Sequence, residues 1–130
     1  MVVCHGDFHP FNVLIKDGEI SAVVDWSCFL KGDPTYDIDI AQVLGKVVAP
    51  VLFPEINWVN LFNRYYDYYQ RECPVDPVRV EYYEAFRCLW ALLEGAEGHS
   101  AWGLPETMRR LSEHYEKITS VRIALPKAFM

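Results

Sequence analysis

The sequence predicts an α+β fold in which a polar loop and a β-hairpin, within the first fifth of the chain, precede about four helices. Three observations carry this reading. Two runs rich in β-branched residues, Val13-Leu14-Ile15-Lys16 and Glu19-Ile20-Ser21-Ala22-Val23-Val24, flank Asp17-Gly18. That pattern reads as a hairpin closed by a two-residue turn. Downstream, apolar residues recur at helical spacing. Capping residues and prolines divide this helical part, with Asp33-Pro34, Asp76-Pro77 and Pro105 where helices open.

Met1-Val2-Val3-Cys4 is a short apolar run that reads as a strand or extended lead-in. In the hairpin, a two-residue turn pairs Lys16 with Glu19 and sets Asn12 opposite Val23. Asp25 then shares Val23's face and lies diagonal to Asn12, about 7–8 Å away at the backbone. A three-residue loop would put Asp25 on the other face. Gly32-Asp33-Pro34 opens the first helix, with Asp33 as N-cap and Pro34 at the first helical position. It runs to about Val48, with Ile40, Leu44 and Val47 on one face, and the prolines of 49–54 break it.

A second helix runs from about Glu55 to Glu72. Its stripe of Trp58, Leu61 and Tyr65, with Ile56, Val59, Phe62 and Tyr66, reads as core. Asp76 caps a third helix that reaches about Ala96. Apolar residues surround much of this helix near Phe86, Leu89, Trp90, Leu92 and Leu93, so it is expected to be central. Gly95, Gly98 and Gly103 punctuate a loop that carries His99 and Trp102. Pro105 then opens a last helix burying Met108, Leu111, Tyr115 and Ile118. Val121 to Met130 read as a loosely held tail. No repeat, low-complexity segment or linker appears, so residues 1–130 read as one domain.

Apolar residues make up 52% of the chain, slightly above the usual share of about 45–50%. A net charge of −6 argues against a nucleic-acid footprint. The longest apolar runs are too short to cross a membrane. Cys4, Cys28, Cys73 and Cys88 include no C-x-x-C pair, and no secretory signal opens the chain. A cytoplasmic protein with reduced thiols is expected.

Chemistry concentrates in His5-Gly6-Asp7-Phe8-His9-Pro10-Phe11-Asn12 and in Asp25-Trp26. Asp7, Asn12 and Asp25 form a phosphoryl-transfer set. One carboxylate accepts a hydroxyl proton, and the two other oxygen ligands hold Mg²⁺ against the phosphates of ATP or GTP. The spacing supports this. Protein kinases carry H-R-D-x-x-x-x-N and a downstream Asp for the same two tasks. Here Gly6 replaces the Arg. Each residue also has a structural reading: Asp7 as a turn carboxylate, Asn12 as a strand-initiating residue, and Asp25 as a member of a hydrogen-bond network.

The strings HGDFHPFNVLI, VVDW and GDPTYDI, in that order over residues 2 to 44, resemble the aminoglycoside phosphotransferase and choline kinase-like family. The resemblance implies the mostly helical C-terminal lobe of a protein-kinase-like fold that phosphorylates small molecules. It implies Asp7 as base, Asn12 and Asp25 as metal ligands, and His5 as a loop support. It also implies that Asp37 reaches back to the backbone of the catalytic loop. Phe11 and Ser27 depart from the pattern, which often has a small residue at the first position and an acidic one at the second.

A kinase-like enzyme also needs a preceding lobe that covers the nucleotide. No glycine-rich phosphate motif can be placed in this chain. The chain therefore reads as the C-lobe of a larger enzyme or as a truncated product, with pairing to a separate N-lobe or self-association both open. Aminoglycosides, amino alcohols and sugars all remain as substrates. His9, Glu94 and Glu97, with Glu106 nearby, are candidates to contact a substrate, including a cationic one. Two other readings stand beside the enzyme: a non-catalytic kinase-like scaffold, and a metal-dependent hydrolase built on His5, Asp7 and His9. A serine hydrolase at Ser27 lacks the G-x-S-x-G elbow.

Overall fold

The computed structural model describes residues 1–99 and 101–129, the side chain of Ala128 excepted. Strand β1 (Val2–Cys4) pairs antiparallel with β4 (Leu30–Gly32), and β2 (Val13–Lys16) with β3 (Glu19–Val23). Most of the remainder is helical: α1 (Thr35–Val43), a π-helical stretch (Leu44–Val48), α2 (Ala49–Leu52), α3 (Trp58–Glu72), α4 (Pro77–Ala96) and α5 (Pro105–Thr119). The fold is α+β, with its helices following its strands.

The hairpin closes as its Asp-Gly pair requires. Asp17 and Gly18 have φ of 54° and 83°, the two left-handed residues of a type I′ turn. Lys16 faces Glu19 and Ile15 faces Ile20, but Leu14 faces Ala22. Ser21 is therefore an extra residue in β3, and its hydroxyl donates to the Leu14 carbonyl at 3.1 Å. The bulge advances everything beyond it by one position. Val13, not the expected Asn12, lies opposite Val23, and the Asn12 carbonyl accepts from Val24 N–H at 2.9 Å.

The β1–β4 pair was not foreseen, because Leu30-Lys31-Gly32 is too short to show a period. It sets the start of α1 beside Cys4, whose thiol donates to the Asp33 carbonyl at 3.2 Å. Asp33 caps α1 through Oδ1, which accepts from Thr35 N–H at 3.0 Å and from the Thr35 hydroxyl at 2.6 Å. The helical path then continues past the expected break to Leu52. Pro50 lacks an N–H and crowds the carbonyl four residues before it; the wider π turn at Leu44–Val48 accommodates both. The true break falls at Phe53, which leaves helical geometry (φ −138°, ψ 71°) just before Pro54. Within the π stretch Gly45 is sterically required, since a Cβ there would overlap the Phe62 ring of α3.

The main core gathers Val43, Val47, Val48, Cys88, Leu92, Met108 and Leu111, where α1 and its extension meet α4 and α5. A smaller cluster joins Ala41 to Trp58 and Phe62. Three expectations need correction. In α4, Phe86, Leu89, Trp90 and Leu93 are exposed, because α1 and α5 cover only its Val80–Cys88–Leu92 side while α3 lies against α1 and the π stretch. In α3, Val59 and Leu61 likewise face outward. The tail is also held: Ile123, Leu125 and Phe129 pack on the main core, and the Ser112 hydroxyl donates to the Ile123 carbonyl at 3.2 Å. Met130 lies outside the described residues.

A buried carboxyl and a buried guanidinium meet inside this packing. Asp39 Oδ1 lies 3.6 Å from Arg87 Nε, and the guanidinium covers the Tyr36 ring at 5.0 Å. Burial pushes the Asp39 carboxyl up to about 8, against the pull of Arg87. A carboxyl that holds its proton in the fold stabilises fully below its unfolded value, about 4, and loses that contribution as pH rises toward 8. Thermal melts should therefore show the wild type losing stability relative to Asp39→Asn between pH 4 and 8; parallel curves would contradict the buried neutral carboxyl. In urea, Gly45→Ala is expected to lower stability by about 1–3 kcal/mol through overpacking against Phe62.

Candidate active site

The loop that carries Asp7 is built around a single carboxylate. Asp37, in the first turn of α1, accepts from His5 N–H through Oδ2 and from Gly6 N–H through Oδ1, both at 2.7 Å. Gly6 adopts φ 83°, and a Cβ there would collide with the Cys28 carbonyl. No other residue fits this position without strain, which accounts for glycine where protein kinases carry Arg. The loop is thus pinned from α1 on one side and touches the Trp26–Cys28 turn on the other.

His5 joins the same two parts from within. The residue is 3% exposed; Nδ1 accepts from Asp7 N–H at 3.3 Å, and Nε2 lies 2.8 Å from the Val24 carbonyl. These partners assign the neutral ring with its proton on Nε2. The Trp26 ring packs on it at 4.5 Å, and the Trp26 indole donates to the Val23 carbonyl at 2.9 Å. Both nitrogens are engaged, so His5 has no lone pair left for a metal. That removes one ligand from the hydrolase set of His5, Asp7 and His9. Among the described residues no group of three or more His, Cys, Asp or Glu could hold a metal ion.

Asp7 presents its carboxylate half-exposed, at 37%, while its carbonyl accepts from Asn12 Nδ2 at 2.9 Å. A 3₁₀ turn at Pro10–Asn12 brings Asn12 back toward Asp7, closed by Asn12 N–H on the His9 carbonyl at 3.0 Å. His9 stands between the two, its Nε2 3.5 Å from Asp7 Oδ2 and 3.3 Å from Asn12 Nδ2. With Nδ2 committed, the Asn12 amide has Oδ1 left to offer a ligand. Phe11 points outward and packs against Phe53 at 5.9 Å.

Asp25 does not continue β3. It takes a left-handed conformation (φ 60°, ψ 62°) at the head of the Trp26–Cys28 turn, a strained choice for a residue other than glycine. Ser27 stabilises it, the hydroxyl donating to Asp25 Oδ1 at 2.7 Å. That hydroxyl and the Ser27 N–H hold the Asp25 carboxyl below its ordinary value. An exposed, ionised carboxylate at Asp25 and the free amide oxygen of Asn12, whose backbone carbonyl bonds Val24 N–H, are hard donors of the kind Mg²⁺ takes, so the residue types present fit that ion.

Glu94 and Glu97 lie elsewhere. Glu94 accepts from the Trp90 indole at 2.8 Å on the outward side of α4, and Glu97 closes that helix. Neither lines the cavities beside the Asp7 loop. Glu106 is paired with Arg109 and Arg110, which hold its carboxyl down at about 2. Sequence reasoning did not identify Ser27 as the partner of Asp25, nor the carbonyls of Val24 and Cys28 as supports. A short hydroxyl two residues after a carboxylate was the available signal for Ser27.

Replacing Asp37 with Ala orphans two donors, at about 1–3 kcal/mol each. Hydrogen exchange at the His5 and Gly6 amides should accelerate accordingly while amides in α5 keep their protection; unchanged exchange at His5 and Gly6 would contradict the clamp.

Residues 1–83 match the family model described as phosphotransferase enzyme family, more than half of the 130-residue chain. No curated protein and no solved structure matches the chain.

Proposed function

The chain belongs to the phosphotransferase enzyme family, and from that premise we propose that it is the catalytic C-lobe of an ATP- or GTP-dependent kinase for a small-molecule hydroxyl. The observation that carries the reading is the hydrogen-bond network that ties Asp7 to Asn12 and both to Val24, the residue before Asp25, on a loop clamped by Asp37. Asp7 is the base: its half-exposed carboxylate accepts the proton of the attacking hydroxyl and orients the oxygen. Asn12 Oδ1 and the Asp25 carboxylate are the groups that would hold Mg²⁺. When bound, such an ion neutralises the phosphate charge that grows during transfer.

The remaining residues position these groups. Ser27 keeps the Asp25 carboxylate turned and ionised. His5, fully hydrogen-bonded, ties the Asp7 loop to Val24, so base and metal ligand move as one body. Near-attack geometry depends on such rigidity, because misplacement by about 1 Å can cost 10²-fold in rate.

Calorimetry provides the test. Mg²⁺-dependent binding of ATP or GTP is expected for this chain, with affinity falling at least tenfold in Asp25→Ala, a loss of about 1.4 kcal/mol or more. Asp7→Asn should leave that binding intact. In an assembly that turns over, the same change should lower kcat by about 10²–10⁴-fold. Absence of nucleotide binding at every Mg²⁺ concentration would overturn the reading and leave a scaffold.

A further inference from the structure

Two apolar cavities open beside the catalytic loop and meet at His9 and Pro10. The larger, about 430 Å³, lies between the hairpin and α3, where Phe8, Val13, Ile15, Ile20, Leu61 and Tyr65 line it. The smaller, about 200 Å³, runs past Phe11, Phe53 and Trp58, and Phe62 borders both. The larger falls within the roughly 300–1,000 Å³ of small-molecule sites. No Asp, Glu, Lys or Arg lines either cavity.

His9 connects this apolar groove to the proposed chemistry. It borders both cavities, and its Nε2 lies 3.5 Å from Asp7 Oδ2. Its Nδ1 is buried with no hydrogen-bond partner. A buried imidazole nitrogen without a partner is costly unless a ligand completes it.

We propose that the substrate presents its hydroxyl to Asp7 from an uncharged aromatic or aliphatic body seated in the groove between hairpin and α3. The proposal rests on the reading of Asp7 as base. An ammonium group seated within this groove would lose its water and find no carboxylate on the lining, since Asp7 stands at its edge behind His9 and Glu94 and Glu97 lie away from it. An apolar body loses nothing of that kind and gains by leaving water. His9 Nδ1 takes a hydrogen bond from, or gives one to, a polar group at the edge of that body.

Titration of the ¹⁵N-labelled chain with 2-phenylethanol, in the absence of nucleotide and Mg²⁺, tests the proposal. Shifts are expected at Phe8, His9, Leu61 and Tyr65. Leu61 is 46% exposed and outside both core clusters, so Leu61→Glu should fold normally and weaken the alcohol at least tenfold. Choline is the discriminating control, because aromatic faces can hold a quaternary ammonium; it should leave these amides unmoved. Choline or a polyamine binding in the groove would overturn the proposal. So would adenosine displacing the alcohol, which would mark a nucleobase seat, or the absence of any alcohol shift there. A Leu61→Glu change that alters sedimentation but not alcohol binding would likewise overturn it, by making the groove an interface. Alcohol binding together with failed Mg²⁺–nucleotide binding would instead remove the kinase reading and leave the groove.

Discussion

The carboxylate of Asp37, shared between two consecutive backbone N–H groups, is the interaction on which the rest of this site depends. Residues near opposite ends of the β-rich segment meet there, 31 and 32 positions apart in sequence. For the clamp to form, α1 must begin where it does, which the Asp33 cap secures. The chain must also return beside Cys4, which the β1–β4 pair secures. Gly6 must turn left-handed against the Cys28 carbonyl. His5 then passes the constraint to Val24, one residue before Asp25. Charged acceptors of backbone N–H groups are among the stronger hydrogen bonds available, so a single side chain can order a loop that has little core of its own.

The site combines rigidity with local strain. Asp25 departs from strand geometry into a left-handed conformation, held by a 3₁₀ turn, by Ser27 and by the Trp26 indole. The bulge at Ser21 shifts the hairpin by one residue, so the chain reaches Asp25 through Val24 bonded to Asn12. Flat pairing would have aimed Asp25 by strand alternation alone. Instead a kinked strand end and a turn aim it, a device common where a sheet meets a functional residue.

Much of this was legible in the sequence, and the gaps have physical causes. The Asp-Gly hairpin and the caps at Asp33 and Asp76 follow from local chemistry that tertiary packing does not override. Asp37 was legible only through the family resemblance, because a carboxylate in a first helical turn has no local reason to reach another segment. The β4 strand and the fixed tail depend on contacts distant in sequence, and the Ser21 bulge, though local, leaves no periodic trace. The outward side of α4 was misread for the opposite reason: Phe86, Leu89, Trp90 and Leu93 have the composition of a core without its coverage. Apolar periodicity reports which faces resemble a core, not which of them find a partner.

If Asn12 and Asp25 share one cation with a bound nucleotide, the metal's position is directly observable. Substituting Mn²⁺ for Mg²⁺ in the presence of ATP should broaden the NMR signals of Asn12, Val24 and Asp25 first, while those of Glu94 and Glu97 stay sharp. That pattern would place the ion between the loop and the hairpin end, as the account requires. Broadening centred on the α4 terminus, or spread evenly over the acidic surface, would contradict it.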